Sequence, residues 1–460
     1  MKKYDLIVIG SGPAGEKAAV KAAYFGHRVA LVEKESVFGG AGVHTGTLPS
    51  KTLKETALFL SATYENGLYG VDRTFLRSTT IEDFLFRKNQ VCATFSKEVK
   101  DNLERHKVDL YHASASFEDP HTIRVGTTSI YGTFILIATG SYPFHPSSIP
   151  FDGDTIHDSD SILSLKKIPA SLCIVGAGVI GCEYATIFAA MGTQVYLVND
   201  RDKILSHVDG DITKELVMQM QKSKIEILFN TALESVSREA AGVCVQLKTG
   251  KNLSVESFLF AAGRSGCTKT LALEKAGVPI RKRETVEVDA TYRTEVPHIF
   301  AVGDVIGFPA LASTSMDQGR VAVAHMFHTQ DLQHIASVVP YGIYTIPEVS
   351  MVGITEEDGN ATGCCTGKAR YSDMARGTIM GAQSGFLKLV FTPNTQQIMG
   401  VHIIGTQASE LIHYGLSLVK EKKTLSDVIG EVFNYPTLHD LYKYAAYDGL
   451  GTLSGHKVKN

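Results

Sequence analysis

Two segments of the chain repeat one pattern, a short apolar run followed by a glycine-spaced turn and a helix of small residues. In the first copy YDLIVI, residues 4–9, leads into GSGPAG at 10–15 and a helix predicted over 16–24. A short apolar run that ends at a turn is typical of a buried parallel strand. Strand, turn and helix in this order predict a Rossmann-like α/β unit.

Each glycine of the first turn has its own physical role. Gly10 permits the tight turn, Gly12 lets backbone amides approach a pyrophosphate, and Gly15 allows close packing of helix on strand. The next strand, RVALVE, ends in Glu33, where a carboxylate accepts hydrogen bonds from a ribose diol. We therefore predict a dinucleotide site, the alternative being a structural turn.

The pattern returns where SLCIV, residues 171–175, meets GAGVIG at 176–181, a helix predicted through Met191 and the strand QVYLV. Two dinucleotide sites imply two cofactors. A flavoprotein reductase needs this combination, because one unit holds FAD permanently and the other lets a nicotinamide come and go. The alternative is a duplicated scaffold with one dead site.

The loop after the second unit bears on which nicotinamide binds. A carboxylate about 5 Å from the 2'-phosphate of NADP costs roughly 3 kcal/mol per unit of phosphate charge at an effective dielectric of about 20. Asn199 stands at the acidic position and still hydrogen-bonds a ribose hydroxyl, while Arg201 or Lys203 reaches a phosphate. Both NAD(H) and NADP(H) are therefore predicted substrates, unless the loop is an ordinary solvated one.

Composition narrows the class of protein. A chain of 460 residues with 44% apolar residues and a net charge of −3 predicts about three soluble globular domains. The balanced charge predicts neither nucleic-acid nor membrane partners. The N-terminal apolar run is too short for a signal peptide, and no run approaches a membrane span. Seven irregularly spaced cysteines fit neither a disulfide framework nor a metal site, so we predict a reducing, cytoplasmic location.

Further motifs resemble one family along almost the whole chain. They are ATG at 138–140, GR at 263–264, AVGD at 301–304, YTIPEVSMVG at 344–353 and NYPT at 434–437. With the two glycine turns, they make the chain similar to the flavoprotein disulfide reductases, which include lipoamide dehydrogenase, glutathione reductase and mercuric reductase. The resemblance implies that Asp304 binds the FAD ribityl chain and that Lys51 lies beside flavin N5, close to Glu183, which faces the nicotinamide.

Two departures from this family change the expected chemistry. Its members read GGxCxNxGCxPSK, whereas GGAGVHTGTLPSK at 39–51 places Gly42 and Thr47 where the sulfurs stand. The family's HPTxxE acid-base pair is replaced by Tyr435 and Asp440. Because the thiols and their base are absent together, we expect hydride to enter at flavin N5 from one nicotinamide and to leave by the same face, in a ping-pong cycle.

The predicted tolerance of both nicotinamides, the missing disulfide and Tyr435 together resemble one branch of the family, the soluble pyridine nucleotide transhydrogenases. GRSG at 263–266 and GDVIGFPALAS at 303–313 resemble that branch as well. The predicted reaction is reversible hydride exchange between NADPH and NAD+. Open alternatives are a diaphorase or oxidase acting on quinone or oxygen, a reductase that takes thiols from a partner protein, a degenerate dihydrolipoamide dehydrogenase-like protein, and a non-catalytic redox sensor or structural subunit.

The resemblance also implies the site residues and the domain limits. The predicted catalytic residues are Lys51, Glu183 and Tyr435. The predicted FAD ligands are Gly10, Gly12, Pro13, Ala14, Gly15, Glu33, Lys34, Gly40, Thr47, Lys51, Thr139, Gly140, Asp304 and Ala312. The predicted NAD(P) ligands are Gly176, Gly178, Val179, Ile180, Gly181, Glu183, Asn199, Arg201 and Gly263. The FAD domain is expected at 1–145 and 270–335, the NAD(P) domain at 146–269, and an α+β homodimerisation domain at 336–460.

Three other features are expected to have no part in the chemistry. His44 is predicted to pack or hydrogen-bond near the FAD pyrophosphate. His439 is predicted at the surface near a helix start. Cys364 and Cys365 are predicted in a solvent-exposed turn, and a helix is expected to begin near Ser315.

Overall fold

The computed structural model describes residues 1–63, 68, 75, 79–240 and 242–455. Its α-helices are α1 (Pro13–Tyr24), α2 (Gly40–His44), α3 (Thr47–Ser61), α4 (Ile81–Arg105), α5 (Val179–Ala190), α6 (Gly210–Lys222), α7 (Ala312–Phe327), α8 (Glu356–Asn360), α9 (Ala375–Met380), α10 (Ala408–Lys420), α11 (Leu425–Gly430) and α12 (Asp440–Ser454). Its strands are β1 (Lys2–Ile9), β2 (Val29–Glu33), β3 (Asp109–His112), β4 (Ala115–Phe117), β5 (Thr122–Val125), β6 (Thr128–Ile137), β7 (Ser141–Pro143), β8 (Ile156–Asp158), β9 (Ser171–Val175), β10 (Gln194–Val198), β11 (Glu226–Leu228), β12 (Leu233–Glu239), β13 (Gly242–Leu247), β14 (Asn252–Val255), β15 (Ser257–Phe260), β16 (Arg264–Gly266), β17 (Ile299–Ala301), β18 (Tyr341–Ile343), β19 (Glu348–Gly353), β20 (Cys365–Arg370), β21 (Phe386–Phe391) and β22 (Ile398–Gly405).

The first dinucleotide unit forms a sheet in the order β3-β2-β1-β6-β5-β4, with β17 also pairing with β6. β1 is parallel to β2 and β6 and is buried along most of its length, as its apolar run predicted. β17 is parallel to β6 although more than 160 residues separate the two strands in sequence. This unit is therefore built from two separate parts of the chain.

In the sequence, the second dinucleotide unit lies between those two parts of the chain. Its parallel sheet has the order β11-β10-β9-β15-β8, and an antiparallel sheet β12-β13-β14 is attached to it. The antiparallel pair β7 and β16 marks the place where the chain leaves the first unit and returns to it. The parallel strands β3, β2, β1, β6 and β17 of the first sheet and the parallel sheet of the second unit confirm the two predicted Rossmann-like units.

The C-terminal region forms an antiparallel sheet in the order β18-β19-β22-β21-β20. Helices α10 and α12 pack against it, and α11 packs against α12, around a separate apolar core that includes Phe391, Leu441 and Tyr442. Strands and helices are thus combined as the predicted α+β domain, and the predicted fold class is confirmed.

Helix α1 packs closely on α7, because both helices present small residues at the contact. Ala14, Ala18 and Ala22 of α1 are buried. A Cβ at Gly319 of α7 would lie 2.3 Å from the Ala14 carbonyl oxygen. The alanine-rich sequence therefore brings α7 and its preceding loop against the first glycine turn.

Several predicted helix limits were wrong by one to three residues. α1 begins at Pro13 rather than residue 16, since proline is already set for the first helical position. α5 ends at Ala190, one residue before Met191. α7 begins at Ala312 rather than near Ser315, because the Ser315 N–H already donates to the Leu311 carbonyl at 2.9 Å.

Two surface predictions were also wrong. Cys365 is the first residue of β20, and both Cys364 and Cys365 are half-buried, because β20 pairs with β21. His439 lies at the start of α12, as predicted, but it is half-buried, with its ring packed near those of Tyr414 and Tyr442. Among the described residues, no helix is both long and apolar enough to cross a membrane.

Candidate functional site between two dinucleotide units

The first glycine turn leaves no room for larger side chains at two of its three glycines. Gly10 has φ +104°, and an added Cβ would lie 2.4 Å from the Ala138 carbonyl oxygen. At Gly15 a Cβ would lie 2.0 Å from the Gly10 carbonyl oxygen, whereas a Cβ at Gly12 meets nothing within 4 Å. Gly12 is therefore open on the side where a pyrophosphate would approach the N-terminus of α1.

Glu33 is held at the end of β2 by donors that the sequence analysis missed. Its Oε2 accepts from the Ser11 amide at 2.9 Å and from the Ser11 hydroxyl at 2.6 Å, and its Oε1 accepts from the Glu35 amide at 3.0 Å. The Ser11 hydroxyl also accepts from the Gly39 amide at 3.1 Å. These bonds fix the carboxylate against the turn, so the second residue of the GxGxxG motif is a positioning residue.

A cavity of about 1130 Å³ collects most of the predicted FAD ligands. Small-molecule sites usually measure about 300–1,000 Å³, so this one has room for a dinucleotide. The predicted ligands that line it are Gly10, Gly12, Pro13, Ala14, Glu33, Lys34, Gly40, Thr47, Lys51, Thr139, Gly140, Asp304 and Ala312. Gly15 does not line it, because it packs against Gly10 beneath the turn.

Thr139 gives an independent sign that a polar ligand belongs in this cavity. Its hydroxyl is buried and has no hydrogen-bond partner. A buried hydroxyl left unpaired costs free energy, about 1–3 kcal/mol, which a ligand atom would recover. The hydroxyl and the open Gly12 turn fit the phosphate and sugar groups of FAD.

Lys51 and Glu183 form an ion pair inside the same cavity, although they come from α3 and α5. Lys51 Nζ lies 2.9 Å from each carboxylate oxygen of Glu183. The Tyr344 amide donates to Glu183 Oε1 at 2.9 Å, and the Tyr344 ring centroid lies 4.8 Å from Lys51 Nζ. The Ser50 hydroxyl adds a longer bond of 3.3 Å to Glu183. The carboxylate is therefore almost fully satisfied.

Asp304 is tied to the second unit through the GR motif. Its Oδ2 accepts from the Ser141 hydroxyl at 2.9 Å. Arg264 donates from Nε to that hydroxyl and from a terminal nitrogen to the Ser141 carbonyl, both at 2.8 Å. A third contact, of 3.2 Å, joins Arg264 to the Ser159 hydroxyl. This network holds the predicted ribityl ligand where β7 and β16 pair.

The segment at residues 39–51, here called the altered loop, has no space for a cysteine at Gly42, the first of the two positions where the family has its redox cysteines. A Cβ at Gly42 would lie 2.7 Å from Pro13 Cγ, so a larger residue would displace the start of α1. His44 Nε2 lies 2.8 Å from the Phe38 carbonyl oxygen, which agrees with the predicted hydrogen-bonding role. The cysteine that does line the cavity is Cys267, and burial raises the pKa of its thiol, partly opposed by Lys34.

The second glycine turn copies the first. Gly176 has φ +107°, a Cβ at Gly181 would lie 1.8 Å from the Gly176 carbonyl oxygen, and Gly178 is open. Three predicted NAD(P) ligands, Val179, Ile180 and Glu183, line the large cavity. The others lie outside it, and they are Gly176, Gly178, Gly181, Asn199, Arg201 and Gly263. The cavity thus reaches the start of α5 but not the far end of the second nucleotide site.

The loop after β10 is folded around Asn199. Its side-chain amide donates to the carbonyls of Arg201 at 3.0 Å and Lys203 at 3.1 Å. The N–H donors of Asn199 are used within the loop, and its amide oxygen remains to accept from a ribose hydroxyl, which is the kind of contact predicted for Asn199. The Arg201 side chain is exposed.

Tyr435 is not brought together with Lys51 and Glu183 in the same chain. Its side chain is 79% exposed and does not line the cavity. The neighbouring Val432 is 91% exposed. This segment of the C-terminal domain thus presents its side chains outward.

Comparison with known proteins covers both dinucleotide units and the C-terminal domain. Residues 4–319 match the family described as pyridine nucleotide-disulphide oxidoreductase, and residues 339–446 match its dimerisation domain. Proteins named soluble pyridine nucleotide transhydrogenase from Mycobacterium bovis and Pectobacterium atrosepticum are 42% and 38% identical, over 98% of this chain and 98% of their own lengths.

Two solved structures also resemble this chain over almost its full length. The Cu(II) complex of the HOCl-induced flavoprotein disulfide reductase RclA from Escherichia coli has a TM-score of 0.87 at 27% identity. LpdA from Mycobacterium tuberculosis has a TM-score of 0.87 at 25% identity, and both likenesses cover 97% of this chain and 99% of the other. The predicted resemblance is confirmed. The chain belongs to the pyridine nucleotide-disulphide oxidoreductase family and is an FAD-dependent oxidoreductase that uses pyridine nucleotides.

Proposed function

We propose that the chain is a transhydrogenase that exchanges hydride reversibly between NADPH and NAD+. The observation that carries the proposal is the altered loop, in which Gly42 and Thr47 replace the redox cysteines while both glycine turns and the large cavity that reaches the start of α5 are kept. Relatives that carry this name match the chain over nearly its full length. Without a thiol pair, a second nicotinamide is the natural acceptor.

The residues of the chain support a ping-pong scheme at one site. When bound, FAD supplies a position that accepts a hydride and returns it. Lys51 comes from the first unit, whereas Val179, Ile180 and Glu183 come from the start of α5 in the second unit, and all four line one cavity. A nicotinamide held by the second glycine turn would therefore extend toward Lys51. The Lys51–Glu183 pair keeps this end of the cavity close to neutral overall.

The match to a dimerisation domain supports a homodimer. In that dimer, Tyr435 would contribute to the cavity of the other subunit. The outward position of Tyr435 and Val432 agrees with burial by a second copy. Light scattering should give twice the chain mass of 49.8 kDa. A monomeric mass in active enzyme would contradict both the dimer and the role of Tyr435.

The decisive experiment is anaerobic stopped flow. The bound flavin is reduced with one equivalent of NADPH, and its reoxidation by NAD+, a quinone and oxygen is then followed separately. NAD+ should be the fastest acceptor. Faster reoxidation by quinone or oxygen, with no NADH formed, would overturn the proposed function.

One observation favours the alternative of a diaphorase. A second cavity of about 490 Å³ adjoins the altered loop and is lined by Gly42, Thr47, Leu48, Phe95 and Met316 among others. Its mainly apolar wall would suit a quinone ring. The quinone arm of the stopped-flow experiment tests this directly.

The domain limits stay a proposal: 1–145 with 270–335 for FAD, 146–269 for NAD(P) and 336–460 for dimerisation. The pairing of β6 with β17 and of β7 with β16 supports an inserted second unit. Limited proteolysis that releases a fragment near these limits would test them. A cytoplasmic location and the absence of metal and nucleic-acid partners also stay predictions, which cell fractionation and elemental analysis of purified enzyme would test.

A further inference from the structure

The loop after β10, residues 199–203, carries two cationic side chains, Arg201 and Lys203, which differ in how free they are to contact a phosphate. The Arg201 side chain is exposed, and within the part of the chain that the structure describes it makes a long contact, of 3.4 Å, to the Ser206 hydroxyl. Lys203 donates to the Val208 carbonyl at 2.8 Å and lies 3.9 Å from Glu357 Oε1. Lys203 therefore already faces a carboxylate before any nucleotide binds.

Glu357 belongs to a different domain from the loop it faces. It lies in α8 of the C-terminal domain, and its Oε1 accepts from the Gly210 amide, the first residue of α6, at 2.8 Å. A carboxylate at a helix N-terminus is stabilised by the unpaired amides and the helix dipole. This bond therefore keeps the negative charge of Glu357 next to Lys203.

The position of α8 against α6 is fixed by a buried charge cluster. Lys388 of β21 is fully buried and donates to both carboxylate oxygens of Asp209, at 2.8 and 2.9 Å, and to Asp211 at 3.0 Å. It also pairs with Glu356, whose amide donates to Asp209 Oδ2 at 3.0 Å. Because Glu356 and Glu357 are adjacent in sequence, the cluster sets where Glu357 lies.

We propose that Glu357 is a specificity-determining residue, whose carboxylate offsets the charge of Lys203 and lowers the affinity for NADP(H) relative to NAD(H). The inference rests on the proposed function, since it takes the loop at residues 199–203 as the place where a 2'-phosphate would bind. Only NADP(H) carries that phosphate, so a change in the net charge of the loop acts on one nucleotide and not on the other. This balance lets one loop accept both substrates of a transhydrogenase.

The test uses Glu357→Gln in the FAD-loaded enzyme, with NADP+ and NAD+ titrated separately by calorimetry at low salt. The amide oxygen of Gln still accepts from the Gly210 amide, so the variant removes the charge and keeps the bond. Lys203 is 34% exposed and Glu357 55% exposed, and pairs this exposed are weak. We expect the dissociation constant of NADP+ to fall about threefold, with NAD+ unchanged and the gain reduced at high salt.

Two further variants isolate the pair. Asp358→Asn removes one negative charge at the residue next to Glu357. The Asp358 carboxylate accepts from the Thr355 hydroxyl at 2.9 Å, and this variant should leave NADP+ binding unchanged. In a Lys203→Gln background, Glu357→Gln should have no effect on NADP+ binding. An unchanged NADP+ affinity, an equal change for NAD+, an equal gain in Asp358→Asn, or a gain that persists without Lys203 would each overturn the inference.

This result is separable from the proposed function. Oxidised nucleotides bind without turnover, so selective tightening of NADP+ would support the role of Glu357 even if the reduced enzyme passed no hydride to NAD+. Conversely, normal hydride exchange with no effect of Glu357→Gln would leave the function standing and remove this inference alone.

Discussion

Replacing Lys51 with Met should destabilise the enzyme more than replacing Lys51 and Glu183 together. The Glu183 side chain is 4% exposed and that of Lys51 is 25% exposed. At 2.9 Å and an effective dielectric of about 20, the two charges attract by about 6 kcal/mol. The cost of removing both charges from water cancels much of this attraction.

The asymmetry follows from what each change leaves behind. Lys51→Met leaves an unpaired carboxylate in a buried position, which costs about 3 kcal/mol. The double variant Lys51→Met with Glu183→Gln leaves a neutral amide whose oxygen still accepts from the Tyr344 amide. Glu183→Gln alone leaves an ammonium that is partly exposed to water, so its cost should be about 1 kcal/mol.

The assay is thermal unfolding of the FAD-loaded enzyme, followed by the rise in flavin fluorescence. Lys51→Met should lower the midpoint by about 6–12 °C if the cooperative unit has the size of one nucleotide domain. Adding Glu183→Gln should recover at least half of that loss. A double variant as unstable as Lys51→Met, or less stable, would refute the reasoning that the buried charge causes the loss.

Three further predictions address the turns, the second subunit and the thiols. Gly178→Ala should fold normally, because its Cβ meets no atom within 4 Å, yet weaken nicotinamide binding about tenfold by crowding the pyrophosphate. Gly181→Ala places a Cβ 1.8 Å from a carbonyl oxygen and should also lower the unfolding midpoint, so calorimetry and thermal unfolding together distinguish the two variants. Tyr435→Phe should slow hydride exchange in stopped flow about tenfold while light scattering still gives the wild-type mass, and an unchanged rate would argue against catalysis by this hydroxyl. Iodoacetamide applied to NADPH-reduced enzyme at pH 7.5 should leave activity intact. Burial raises the pKa of Cys267, so its thiol stays neutral there and labelling should grow only at alkaline pH. Inactivation that tracks labelling of Cys267 would show that a thiol takes part.

The positions of the glycine turns were predictable because their chemistry is local. Gly10 and Gly176 adopt positive φ, and Gly15 and Gly181 lie against the carbonyl oxygens of their own turns. A few consecutive residues contain all of that information. The helix limits were less predictable, since the first bond of α7, from Ser315 to Leu311, depends on the loop before it.

The sequence by itself determined the two Rossmann-like units, the C-terminal α+β domain and the loss of the redox cysteines, because these depend on residue type and short spacing. Only the tertiary structure decided which side chains meet. Ser11 reaches Glu33 across the turn, Lys51 meets Glu183 from 132 residues away, and Glu357 crosses from another domain to face Lys203. Such contacts depend on how sheets and helices stack, and the side-chain pattern along one strand or helix does not specify the partner that its exposed face will meet.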